Sequence, residues 1–151
     1  MIDKLVERFI RFIATHLFGE HWSTPNPNED HVREVLSLLR IPYRIDKEIC
    51  QFLDKPTTQA MVIVIGILSD MVSSGLPIKH ITIRPLWNFE QVVFSILLAL
   101  DSNDANSAWD CIVTKVAEVA DKESDKEVAK ALLNLGLQVT WLTGVKKEVK
   151  Q

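Results

Sequence analysis

The run Ala60-Met-Val-Ile-Val-Ile-Gly-Ile-Leu68, extended by Met71 and Val72, limits what this chain can fold into more than any other stretch. It is apolar on every side of a helix drawn through it, until Ser69 and Asp70 interrupt it. A helix over Thr58–Ser74 would be roughly 25 Å long at about 1.5 Å per residue, shorter than the ~30 Å hydrocarbon layer of a membrane. A segment that is hydrophobic all round has to be wrapped by other segments. The expectation is the buried central helix of a soluble domain, with no membrane span. On that reading Ile65→Asp or Gly66→Asp would bury an unpaired charge and unfold the protein.

The wrapping is long enough. At 151 residues, 47% hydrophobic and 25% charged, the chain can build one core without metal or disulfide support. One domain is expected over residues 1–145, with a charged tail over 146–151. The formal charge of −3 is spread evenly along the sequence. Neither half has the excess of positive charge that a polyanion-binding half carries, so nucleic acid is not the expected partner. Cys50 and Cys111 lie far apart among apolar neighbours and form no CxxC pair. They read as buried free thiols of a reducing compartment. The opening Met-Ile-Asp-Lys-Leu-Val-Glu-Arg interleaves charges with apolar residues, which suits an amphipathic helix and not a signal peptide. A cytoplasmic location is the corresponding expectation.

Helical spacing recurs along the chain. Ile2, Leu5, Val6, Phe9, Ile10, Phe12, Ile13 and Leu17 form one stripe, stopped by Gly19, and Val32, Val35, Leu36 and Leu39 form a second. Asn28 is placed to cap the second helix, which ends before Pro42. A short helix over Asp46–Leu53 follows, then the central helix, capped by Thr57 or Thr58 and ended by Gly75. Leu76–Pro85 alternates in part, but prolines bracket it, so it reads as an extended connector. Asn88 would cap a helix over Phe89–Leu100, and Asp101–Asp104 a helix reaching about Ala120. Ser124-Asp-Lys-Glu127 has the pattern of a capping box for a helix through Leu135 that Gly136 stops. Leu137–Val145 is either a last helix or a β-like segment. The sum is an all-α bundle of about seven or eight helices around Thr58–Ser74.

Catalytic signatures are sparse. His16 and His21 flank Glu20, but Gly19 breaks the helix between them and removes the shared face that a metal site needs. Asp101-x-Asn103-Asp104 resembles the start of a calcium loop, yet the glycine and the terminal acid of such a loop are missing; it suits a helix cap. There is no Gly-x-Ser-x-Gly and no phosphate-binding glycine loop. No cofactor, metal or catalytic residue is expected. The candidate contact residues are the basic ridge Lys4, Arg8 and Arg11 and the cluster Lys79, His80 and Arg84, both suited to an acidic partner surface, together with Trp87, a residue type enriched at binding hot spots. Trp22, Trp109 and Trp141 lie in or near segment ends too.

One stretch resembles a known group. Val32–Ile45 ends in the corner Ile41-Pro42-Tyr43, the short Asp46–Leu53 segment comes next, and the apolar Ala60–Val72 helix comes after that. This order resembles the divergent calponin-homology-like domains of kinetochore outer-complex subunits and of some intraflagellar-transport and coiled-coil adaptors. The resemblance covers Val32–Val72 and implies an all-α module for complex assembly or tubulin binding, and it transfers no functional residue. The leading expectation is a non-enzymatic interaction module that binds another protein. The alternatives are a short HEAT-like adaptor from Asn88 onward, and a small helical enzyme or ligand carrier. The last would have a pocket beside the central helix with His80 or His16 at its mouth.

Overall fold

The structure, a computed structural model, describes residues 27–51, 53–86 and 91–142. In chain order these form α1 (Pro27–Leu38), β1 (Tyr43–Ile45), a 3-10 turn (Lys47–Gln51), α2 (Lys55–Ser73), β2 (Ile78–Pro85), β3 (Val92–Leu98), α3 (Ser102–Lys122), α4 (Lys126–Asn134) and β4 (Gly136–Trp141). The strands make one sheet in the order β1-β2-β3-β4. The outer pairs β1–β2 and β3–β4 are parallel and the central pair β2–β3 is antiparallel. Each parallel pair therefore needs a helical crossover, supplied by α2 in the first half and by α3 with α4 in the second.

This mixed α/β architecture corrects the expected all-α helical bundle. The long apolar helix is where it was expected, but two segments read otherwise are strands. Leu76–Pro85 is not a connector: its prolines, Pro77 and Pro85, stand at the ends of β2, where they remove no bond from the middle of the ladder. Val92–Leu98 is not part of a helix. A short run buried nearly throughout gives no alternation to distinguish strand from helix, and the β-branched Val92, Val93 and Ile96 with Phe94 set the preference. The resembling stretch keeps its helix, corner, short turn and long helix in order. Tyr43–Ile45, however, is a strand, so the all-α setting implied by the resemblance is not found.

Local signals explain the boundaries. Arg40 turns the chain out of α1 with a φ of 58°, before Pro42 enters the sheet. Asn28 does not act as the expected cap; its amide donates to the carbonyl of Leu53 at 2.8 Å and fastens α1 to the approach of α2. The cap of α2 is Asp54, not Thr57 or Thr58: its Oδ1 accepts from the Thr57 amide at 2.8 Å, and Pro56 sits in the first turn where no donor is missed. Gly75, at a φ of 108°, ends that helix as expected. Asp101 caps α3 through the Asp104 amide. Asp125, one residue past the expected Ser124, caps α4 through the amides of Glu127 and Val128.

The core is a single cluster between the helices and one sheet face. Ile81, Ile83, Phe94, Ile96 and Leu98 of the sheet meet Ala60, Met61, Val64, Ile65 and Leu68 of α2, with Ile112 and Leu132 from α3 and α4. Helix α2 is covered on one side only. Gln59, Gly66, Ser69 and Asp70 are exposed, so it lies on the sheet instead of being wrapped, and a side chain at Gly66 would meet nothing within 4 Å. The helix is long and apolar enough to cross a membrane by length and composition, while its broad inner face is buried in this core.

Candidate interaction face

The second face of the sheet carries mostly polar side chains, with half-buried Leu97 and buried Val93 among them. Strand residues alternate in direction, so the partners of the core residues point the other way. Arg44, Thr82, Ser95 and Gln138 form one row across all four strands, as the pairings Arg44↔Thr82, Thr82↔Ser95 and Ser95↔Gln138 require. His80, Leu97 and Thr140 form the next row, and Arg84, Val93 and Gly136 the row on the other side. Among these described residues there is no acid. Asp46, just beyond β1, pairs with Arg44 at 3.4 Å, and the Arg44 side chain remains 74% exposed.

Arg84 organises the face. Its Nε donates to Ser95 Oγ at 3.3 Å and a terminal nitrogen donates to Gln138 Oε1 at 2.6 Å. Ser95 Oγ donates to the same Gln138 oxygen at 3.2 Å. The guanidinium is thus laid across β3 and fixed by neutral acceptors. Among the described residues no carboxylate pairs with it. Arg33 on α1 is the contrast: it is engaged by Glu29 at 2.7 Å. Burial alone would lower the Arg33 pKa, and the bonds to Glu29 and Tyr43 outweigh that and raise it.

Two further details shape the site. His80 Nδ1 lies 3.2 Å from Thr82 Oγ1 on the same strand, the direction of that bond following the imidazole tautomer. The register shifts between Ile78 and His80, which leaves Lys79 exposed at the irregularity. Gly136 permits the close approach of β4 to β3, since a Cβ there would stand 2.9 Å from Val93 Cγ2.

The expected contact residues therefore divide. His80 and Arg84 are brought onto one face, about 13 Å apart along β2 at ~3.3 Å per residue. Lys79 flanks them. Lys4, Arg8, Arg11, Trp87, His16 and His21 lie outside the described residues, as do Trp22, Asn88 and the Cys50 side chain. Cys111, expected to be buried, is exposed on α3. Sequence reading missed Thr82, Ser95, Gln138 and Arg44. Thr82 and Arg84 already show the period of two in Ile81-Thr-Ile-Arg84, but Gln138 joins only through the crossover.

Catalytic geometry is not assembled on this face: the His80–Thr82 pair has no acid behind it among the described residues. No group of three potential metal ligands occurs among them either. Of the clefts beside α2, one of about 340 Å³ is lined by His31, Gln59, Val62, Ile63, Glu123 and Val128, so its histidine is not His80. Compared with protein-family models, with curated proteins and with solved structures, the chain matches none.

Proposed function

We propose that the protein is a non-enzymatic interaction module whose second, Arg84-bearing sheet face binds an acidic segment of another protein. The observation that supports this most is the Arg84 guanidinium, held flat over β3 by Ser95 and Gln138 with no carboxylate among the described residues to neutralise it. Arg44 and His80 add further donor groups on the same face, and Thr82 adds a hydroxyl. A pre-positioned arginine loses little freedom when a carboxylate arrives, and a charge-assisted bond is stronger than a neutral one.

Nucleic acid fits less well. Among the described residues the face has no aromatic platform on which bases stack.

The test is fluorescence anisotropy with a labelled oligo-glutamate peptide, a neutral peptide of equal length and a single-stranded oligonucleotide. The expected order is oligo-glutamate well above the other two, weakening as salt rises, with Arg84→Gln reducing affinity about tenfold. Equal affinity of wild type and Arg84→Gln for oligo-glutamate would overturn the reading. Preference for the oligonucleotide would replace the acidic protein segment with nucleic acid.

A further inference from the structure

The outer edge of the sheet carries its own information, independent of what the open face binds. β4 is an edge strand: among the described residues no strand pairs beyond it. The direction of its backbone groups follows from two bonds. The Leu142 amide donates inward to Leu98 on β3, whereas the Leu137 carbonyl accepts from Trp109 Nε1 on α3 at 2.8 Å, outside the ladder. Alternation then turns the N–H and C=O of Leu137, Val139 and Trp141 outward.

Among the described residues this edge lacks the features that keep edges from pairing. From Gly136 to Gly144 the sequence Gly-Leu-Gln-Val-Thr-Trp-Leu-Thr-Gly contains no charge and no proline, and β4 shows no bulge against β3. Beside it runs a cleft of about 500 Å³ between α3 and β4, lined by Asn106, Trp109, Leu137, Gln138, Val139 and Thr140, none of them charged. Trp109, Trp141 and Leu142 are each 37% exposed around it. A neutral edge of this kind accepts a neutral strand, and the same strand of a second copy meets that condition without any like-charge contact.

We propose that β4 pairs antiparallel with β4 of a second copy, making one continuous eight-stranded sheet with Thr140 on the two-fold axis. Trp109 sets this register. Its indole occupies the edge at Leu137, so the first outward groups free to pair are those of Val139 and Trp141. Val139 of one copy then exchanges two backbone bonds with Trp141 of the other, and the symmetry repeats the exchange. The two Thr140 side chains face each other at the closer, non-hydrogen-bonded spacing, where threonine pairs are favourable. On the helix side each Val139 meets a Trp141. A two-strand seam buries less than a standard interface, so the dimer dissociates with a constant on the order of micromolar.

Sedimentation of the full chain over a concentration series reads this out, alone and with Thr140→Lys and Thr140→Glu. Thr140 is exposed and outside the Arg84 network, and unchanged thermal melting would show that both variants fold. The expected result is a wild-type monomer–dimer equilibrium, monomers for each variant alone, and a restored dimer when the two are mixed. A wild-type chain that stays monomeric would overturn the proposal and leave the edge to a strand of some other protein. So would a Thr140→Lys variant as dimeric as wild type, or a mixture that fails to associate.

Discussion

Arg84 on β2 donates to Gln138 Oε1 on β4 at 2.6 Å across the intervening strand, joining residues 54 positions apart. The bond ties the two halves of the fold, since β2 follows the first crossover and β4 ends the second. It also fixes the direction of the one guanidinium on the second sheet face that, among the described residues, lacks a carboxylate. Fold and proposed binding thus meet at one pair of side chains.

The inner face of α2 is intolerant of charge and its outer face is not. Ile65 is 1% exposed, so Ile65→Asp should cost more than ~4 kcal/mol and leave no cooperative melting transition. Gly66 faces outward, so Gly66→Asp should fold, correcting the expectation drawn from the run of apolar residues alone. Gly66→Ala should stabilise by about 0.5–1 kcal/mol, because alanine restricts the unfolded chain and fits open space. Urea titration of the three variants checks the order.

That contrast shows what was legible in the sequence. The Ala60–Leu68 run located a long helix and Gly75 its end, because both signals are local. Which side of the helix is covered depends on the sheet, and the sheet was hidden in two places. Val92–Leu98 is buried nearly throughout, so it lacks the alternation that identifies a half-exposed strand. Ile78–Pro85 does alternate in part, but Pro77 before it and Pro85 at its end imitate a loop. The site was half legible: His80 and Arg84 stand out as a basic pair, whereas Ser95 and Gln138 are ordinary polar residues until the register sets them beside Arg84.

Gly136 should resist substitution. A methyl group there would meet Val93 Cγ2 at 2.9 Å, and Val93 is buried at the junction of β3 and β4. Gly136→Ala should destabilise by about 1–3 kcal/mol as the strands separate or Val93 leaves its rotamer. The same displacement would loosen the Arg84–Gln138 bond, so binding of an oligo-glutamate peptide should fall along with the denaturation midpoint.

Removing the helix caps should have graded and separable effects. Asp54→Ala and Asp101→Ala each delete a side-chain oxygen that accepts a first-turn amide at 2.8 Å, and each should cost about 0.5–2 kcal/mol. Ser124→Ala should cost little, since Asp125 holds the α4 cap position. Thermal melts with Ser124→Ala near wild type and the two aspartate variants lower would support these assignments. A large loss at Ser124 would return the cap to the expected capping box.

The shape of the core places its heaviest load on β3. Phe94 is fully buried at the centre of the sheet, opposite Ile83 and beside Leu137. Phe94→Ala should cost about 3–5 kcal/mol, and Phe94→Leu distinctly less, as measured by chemical denaturation.

Binding at the Arg84 face of the sheet is read out residue by residue by amide chemical-shift mapping of the full chain during titration with an oligo-glutamate peptide. The expected result is saturable shifts concentrated at His80, Thr82, Arg84, Ser95 and Gln138, with a midpoint about tenfold higher in Arg84→Gln. Shifts confined to residues away from these strands, or an unchanged midpoint in Arg84→Gln, would contradict binding at this face.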